Sequence, residues 1–280
     1  MTAPVPGRAA PRLNIGDAVH DGWQAFCRSP GAFVLFALLL WGLQVLFQLL
    51  QARIGTPNTG LSANPLDWLL ALVGVVGSLA SYFWGTIGMV RGALMGLDRG
   101  RPRFADLIRW DSGAIARLFW ASLLLGALLL AALAAIMVVV GGPLGFLAAL
   151  ADARAGDLAP GLQLVILLLA VLLLLLVGFW LVGLIYLSVN QQFQAQISLR
   201  EQLGPWATLR RSRALVDPHW PLLLLLVIVE GLLSLLGVLA CFVGFFVAWP
   251  VVVCVSTAAY RQLLVLEAAQ PPLPEANPTP

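Results

Sequence analysis

The chain has 280 residues, of which 60% are hydrophobic and only 10% charged, with a mean hydropathy of +0.93. Soluble domains run at roughly 45–50% apolar and about 25% charged, and so few charges cannot cover a water-facing surface, so a soluble fold is excluded. The formal net charge of +3 is too small to point to a nucleic-acid partner, and all 16 basic residues are arginine, which leaves no lysine for a Walker A loop, a Schiff base or a Ser-x-x-Lys nucleophile.

Residues 1–13, MTAPVPGRAAPRL, are proline-rich and lack the apolar core of a cleaved signal peptide, so they are expected to form a disordered arm on the side of synthesis. Next, Ile15, Ala18, Val19, Gly22 and Phe26 recur at helical spacing opposite Asp17, His20, Asp21 and Gln24, the pattern of an amphipathic interfacial helix. Apolar runs long enough to cross about 30 Å of hydrocarbon, roughly 20 residues each, follow near 32–51, 67–90, 117–140, 162–187, 221–240 and 243–264. The third is expected to end at the GGP of Gly141 to Pro143. A second amphipathic lead-in precedes it, with Phe104, Leu107, Ile108, Ile115 and Leu118 opposite Asp106 and Arg109. A third runs from Trp206 through Leu209 to Val216, with Arg210, Arg211 and Arg213 on its wet side.

The predicted fold is therefore all-α: a polytopic membrane bundle of six transmembrane helices over residues 14–265, with three amphipathic lead-ins each preceding a hairpin. Residues 266–280, ending in PPLPEANPTP, are expected to be a disordered proline-rich tail. Span two carries small residues in steps of three and four, Gly74, Gly77, Ser81, Gly85, Gly88, Gly92 and Gly96, which reads as the packing spine of the bundle.

Arginine placement predicts orientation. The amino-terminal arm and lead-in hold three, segment 91–117 six, segment 190–220 four and the final span one; only Arg53 and Arg154 fall on the other side. By the positive-inside rule both termini are expected to be cytoplasmic, in a multi-pass membrane protein. The exposed arginines Arg99, Arg101, Arg103, Arg109, Arg210, Arg211 and Arg213 are expected to contact anionic lipid headgroups, each worth about 1 kcal/mol near the surface. A docking surface for a membrane or cytoplasmic protein is the alternative use of the same charges.

The catalytic inventory is thin. Cys27, Cys241 and Cys254 have no CxxC spacing, and His20 and His219 have no carboxylate or cysteine partner at metal-ligand spacing. No GxSxG, HExxH or GxGxxG motif occurs, so no catalysis, cofactor or metal is expected. One group asks for an explanation: Glu230, halfway along span five. The Leu, Ile and Val residues around it supply roughly −4 to −8 kcal/mol of insertion energy against about +2.5 to +3.5 for the carboxylate, so insertion survives. Its hydrogen bonds still need a destination, since a buried carboxyl either takes up a proton or finds a partner. Antiparallel pairing of spans five and six sets it level with Cys254, Ser256 and Thr257, just past Pro250, which frees a carbonyl of its helix. Gln44, Ser81 and Tyr82 lie at similar depth by residue count, so all seven are a candidate midplane cluster.

The segments NIGDAVHDGWQAFCRSPGAF, GMVRGALMGLDRGRPRFADLIRW and ISLREQLGPWATLRRSRALVDPHW resemble, in order and spacing, a bacterial six-helix integral membrane family of unknown function. That family is similar to the membrane domain preceding the catalytic domain of some glycerophosphodiester phosphodiesterases. The resemblance covers residues 14–265 and implies a fold; the hydrolase activity belongs to a separate soluble barrel and is not implied here. The expected function is structural or accessory, a bundle organising lipids or partner proteins. Its rival is a proton-coupled transporter or channel for a small solute, using Glu230 and a kink at Pro250.

Overall fold

The computed structural model describes residues 13–52, 65–153, 160–240 and 244–269, and every regular element among them is helical. The expected arm and tail lie outside these residues except at their inner ends, where Leu13 is placed and the last helix runs on to Ala269. Arg53 and Arg154 also lie outside them.

Helix α1 (Ile15–Cys27) starts at Asn14, whose Oδ1 accepts the backbone N–H of Gly16 at 2.9 Å and so satisfies one of the donors every helix start leaves free. Helices α2 (Pro30–Gln51) and α3 (Pro65–Leu97) form the first hairpin. The short α4 (Phe104–Ile108) leads to α5 (Ser112–Ile136), which continues through a π-helical turn, Met137–Gly141, into α6 (Gly142–Ala153). Helix α7 (Pro160–Asn190) returns; α8 (Gln194–Arg200) and α9 (Pro205–Val216) follow, and α10 (Trp220–Leu239) and α11 (Phe245–Ala269) make the last hairpin. Six stretches, carried by α2, α3, α5 with α6, α7, α10 and α11, are long and apolar enough to cross a membrane.

Two local expectations are corrected. The GGP motif does not end the third span. Pro143 lacks an N–H and its ring crowds the preceding turn, and the helix absorbs this by widening: the Gly142 N–H donates to the Met137 carbonyl and the chain continues helical to Ala153. The second lead-in is also shorter than its spacing predicts. It stops at Ile108 because Asp111 caps a new helix, its Oδ1 accepting Ala114 N–H at 3.0 Å, so Ile115 and Leu118 belong to α5.

The small-residue face of α3 receives large side chains of α2. A methyl group added at Gly85 would lie 2.5 Å from a Leu40 terminal carbon, and one at Gly92 would lie 3.0 Å from the Phe33 ring. At Gly88 it would meet the Leu107 backbone carbonyl as well as the Phe36 ring. Around that point Trp84 Nε1 donates to the Ile108 carbonyl at 3.0 Å and Arg91 donates to the Arg109 carbonyl at 2.6 Å, so Trp84, Gly88 and Arg91, on one helix face, seat the 107–109 backbone.

Helix α11 is the hub, packing against α1, α2, α3 and α10. Half of its most apolar window is buried in protein, whereas none of the corresponding window of α7 is. Mean hydropathy orders them the other way, with α7 the most apolar span and α11 among the least. Lipid is as apolar as leucine, so the leucine-rich helix gains nothing by leaving it, while small and polar residues find partners only inside the bundle. Helix α1 runs antiparallel to α11: Asn14 N–H donates to Gln262 Oε1 at 3.1 Å, and Gly22 lies against the Val255 backbone. Its apolar face is thus covered by protein. Arg261–Asp98 at 2.9 Å, Arg91–Asp111 at 3.2 Å and Arg211–Glu201 at 2.9 Å gather the ends of α3, α9 and α11 with their connections into one arginine-rich end.

Candidate functional site

The site forms where α7 stops. Residues 190–196, NQQFQAQ, carry five amide side chains and no charge, and residues 189–190 and 193–198 are buried in the bundle. The chain turns at Gln191–Phe193 through short bonds, Gln192 N–H to the Val189 carbonyl at 3.3 Å and Gln194 N–H to the Gln191 carbonyl at 3.3 Å, before α8 resumes. Phe193, fully buried, anchors the turn against the Tyr260 ring, 5.7 Å between centroids. Ser212 Oγ donates to the Asn190 carbonyl at 2.6 Å and Gln191 Nε2 to the Leu209 carbonyl at 3.3 Å, which fasten the turn to α9.

From this turn the amides reach three spans. Gln192 Nε2 donates to Glu230 Oε2 on α10 at 2.8 Å. Gln196 Nε2 donates to Ser256 Oγ on α11 at 3.2 Å and lies 3.5 Å from Thr257 Oγ1. Ser122 Oγ on α5 donates to Gln194 Oε1 at 3.3 Å. The partner expected for Glu230 on span six is thereby corrected: Thr257 donates to the Val253 carbonyl of its own helix at 2.7 Å, Ser256 accepts from Gln196, and α8 with the turn before it supplies the amide that reaches Glu230. Cys254 is buried without a polar role, and Pro250 sits within α11.

The candidate midplane cluster therefore divides. Gln44, Ser81 and Tyr82 line a separate apolar cleft of about 180 Å³ with Trp41, Phe246 and Trp249, and Gln44 Nε2 donates to the Ser78 carbonyl at 3.0 Å. Two other cavities, about 450 Å³ at the arginine-rich end and about 360 Å³ between α3 and α5, are likewise lined without Glu230. Around the turn itself, the Asn190 amide, Gln192 Oε1, Gln196 Oε1, Ser198 Oγ and Glu230 Oε1 are buried without a hydrogen-bond partner among the described residues.

The arginines differ in what they hold. Arg211 donates to both carboxylate oxygens of Glu267, at 2.5 and 2.7 Å, and to Glu201 at 2.9 Å, and Glu201 also accepts from Tyr260 OH at 3.0 Å. The hydrogen bond to Glu267, ahead of the opposing effect of burial and the field of Glu201, raises the Arg211 pKa above its ordinary value. This residue cross-links α8, α9 and α11 rather than facing outward. Arg213, also exposed, pairs with Asp217 at 3.1 Å and lies over the Tyr186 ring, and Arg99, Arg101, Arg103, Arg109 and Arg210 are exposed as well.

The fourth apolar run, 162–187, stops short of 190–196, so the burial of these residues does not follow from hydropathy. A signal was present: the other connections at this end carry Arg and Asp, while NQQFQAQ carries only amides, the side chains that make hydrogen bonds between helices in lipid. Among the described residues no three of His, Cys, Asp and Glu come together as a metal site would require. Chemically, the arrangement is a hydrogen-bonded junction able to hold helices together or to bind a proton or small polar species.

The chain matches no protein-family profile, no curated protein and no solved structure.

Proposed function

We propose that this is a non-enzymatic, multi-pass protein of a bacterial inner membrane with a structural or accessory role, its arginine-rich end facing the cytoplasm and engaging anionic lipid headgroups. The observation that carries the reading is the placement of Glu230. The carboxylate well inside a span is held by Gln192 within a packed helix junction and lines none of the three cavities. Hydrogen bonds of this kind join transmembrane helices without requiring water access. The resemblance to the six-helix family points the same way, toward a membrane bundle.

In lipid nanodiscs, phosphatidylglycerol will raise the thermal midpoint relative to phosphatidylcholine, and salt will weaken the gain, because exposed arginines attract anionic headgroups through a screened field. Equal midpoints in the two lipids would remove the headgroup role. Orientation has its own measurement. Reporters fused at the amino terminus, at Gly100, at Gly204 and at the carboxyl terminus should read cytoplasmic, and those at Thr59 and Gly156 external, on the strength of the arginine asymmetry. An external reading at Gly100 or Gly204 would overturn the assignment.

A second reading, a proton-coupled transporter or channel, is favoured by one observation: the helix break at residues 191–193 sits beside Glu230 and several unpartnered amide oxygens. Broken helices with polar groups inside the membrane are where many transporters bind their ions. Flux through reconstituted liposomes separates the two readings.

A further inference from the structure

The cavity of about 450 Å³ at the arginine-rich end opens between α1, the end of α3 and α11. Three guanidinium groups line it from three elements: Arg28 just past α1, Arg99 just past α3, and Arg261 on α11. One carboxylate, Asp21, also lines the cavity, and Arg261 is paired with Asp98 at 2.9 Å. Arg28 gives one N–H to the Gly96 carbonyl. A guanidinium has five N–H donors, so each of the three retains donors for an anion. Leu97, Val265 and Leu266 form an apolar wall on the same cavity.

Arg99 has a second peculiarity. Its φ is +61°, the left-handed conformation at a helix end where glycine is unstrained and arginine is not. The turn is closed by Arg99 N–H to the Gly96 carbonyl at 3.2 Å and Gly100 N–H to the Met95 carbonyl at 3.0 Å, bonds that any residue with this backbone makes. The arginine side chain is therefore not needed to end the helix. What it adds is a third positive group on the cavity.

We infer that this cavity is a phosphate-ester site, with the phosphate oxygens shared among Arg28, Arg99 and Arg261 and the apolar wall taking the hydrocarbon of the ester. Guanidinium forks match phosphate geometry in pairs of parallel hydrogen bonds, which a single surface charge cannot do. The inference rests on the proposal that this end meets anionic headgroups, and it assigns that contact to one built site instead of a diffuse surface. The same chemistry is offered by an anionic phospholipid and by a soluble ester such as glycerol phosphate.

The test uses the full chain in nanodiscs, with binding of phosphatidylglycerol and of glycerol phosphate measured for wild type and for Arg99→Gly, Arg28→Gln, Arg261→Lys and the paired Arg101→Gln, Arg103→Gln. Arg99→Gly is the decisive variant, since it relieves the backbone and so keeps or raises the thermal midpoint. It should weaken binding about tenfold, the loss of one charge-assisted hydrogen bond. Arg28→Gln should act similarly. Arg261→Lys, which keeps the charge and loses the fork, should also weaken binding, whereas the exposed Arg101 and Arg103 pair should change it less than about threefold. A loss with phosphatidylglycerol alone supports the site and makes lipid its source; a loss that extends to glycerol phosphate supports it and makes the ester soluble. Unchanged binding in Arg99→Gly and Arg28→Gln, with the loss appearing in the Arg101 and Arg103 pair, would overturn the site while leaving the headgroup reading in place. If no variant alters binding, both fall.

Discussion

Replacing Gly88 with isoleucine will cost about 3 kcal/mol of stability in detergent, near the upper end of overpacking penalties, while the same change at Gly42 will be close to neutral. The contrast follows from what each new side chain meets. At Gly88 even a methyl group runs into the Leu107 backbone carbonyl, whose next two residues are tied down by Trp84 and Arg91, and into the Phe36 ring. At Gly42, on the exposed face of α2, nothing lies within 4 Å. Gly85 should fall between them, because its neighbour is the end of the Leu40 side chain, which can rotate where a carbonyl cannot. Thermal midpoints of the three isoleucine variants, with the alanine variants beside them, check the order. Equal losses at Gly42 and Gly88 would mean that the α3 stripe is chance composition and that α4 does not seat against it.

Glu230→Leu is expected to cost on the order of 1 kcal/mol, the scale of interhelical polar contacts in membranes, even though leucine is the better residue for insertion. Glu230→Gln should keep the fold, since its amide oxygen can still accept from Gln192 Nε2. Gln192→Leu should cost a similar amount to Glu230→Leu, and the double leucine variant should cost clearly less than the two together. Such non-additivity is the mark of residues in direct contact. Strict additivity would sink the Gln192 pairing. The same variants decide function in liposomes. A structural role requires that wild type and Glu230→Gln both show no solute-dependent proton flux; flux in the wild type that Gln abolishes would establish the transporter reading, because an amide does not exchange a proton as a carboxyl does.

The local properties of the chain were legible because length, period and composition are local. Six apolar runs, the amphipathic spacing of 15–26 and 206–216, and the glycine steps of 74–96 each report which medium a segment faces, and α1, α9 and the α3 face follow from them. Hydropathy even anticipates which span packs least against protein, since none of the most apolar window of α7 is buried. Other features needed the fold. The proline of GGP reads as a terminator, yet a π-helical turn let the helix continue, an outcome set by geometry that composition does not encode. NQQFQAQ falls beyond the end of the fourth apolar run because amides are polar; only the convergence of α5, α9, α10 and α11 around it turns the same amides into cross-links. Arg28, Arg99 and Arg261 are far apart in the chain and belong to three different segments. Sequence by itself determined which helices are long and apolar enough to span a membrane and which faces are small or charged; the tertiary structure alone decided which of those faces meet, because partnership depends on the close approach of residues that no local pattern relates.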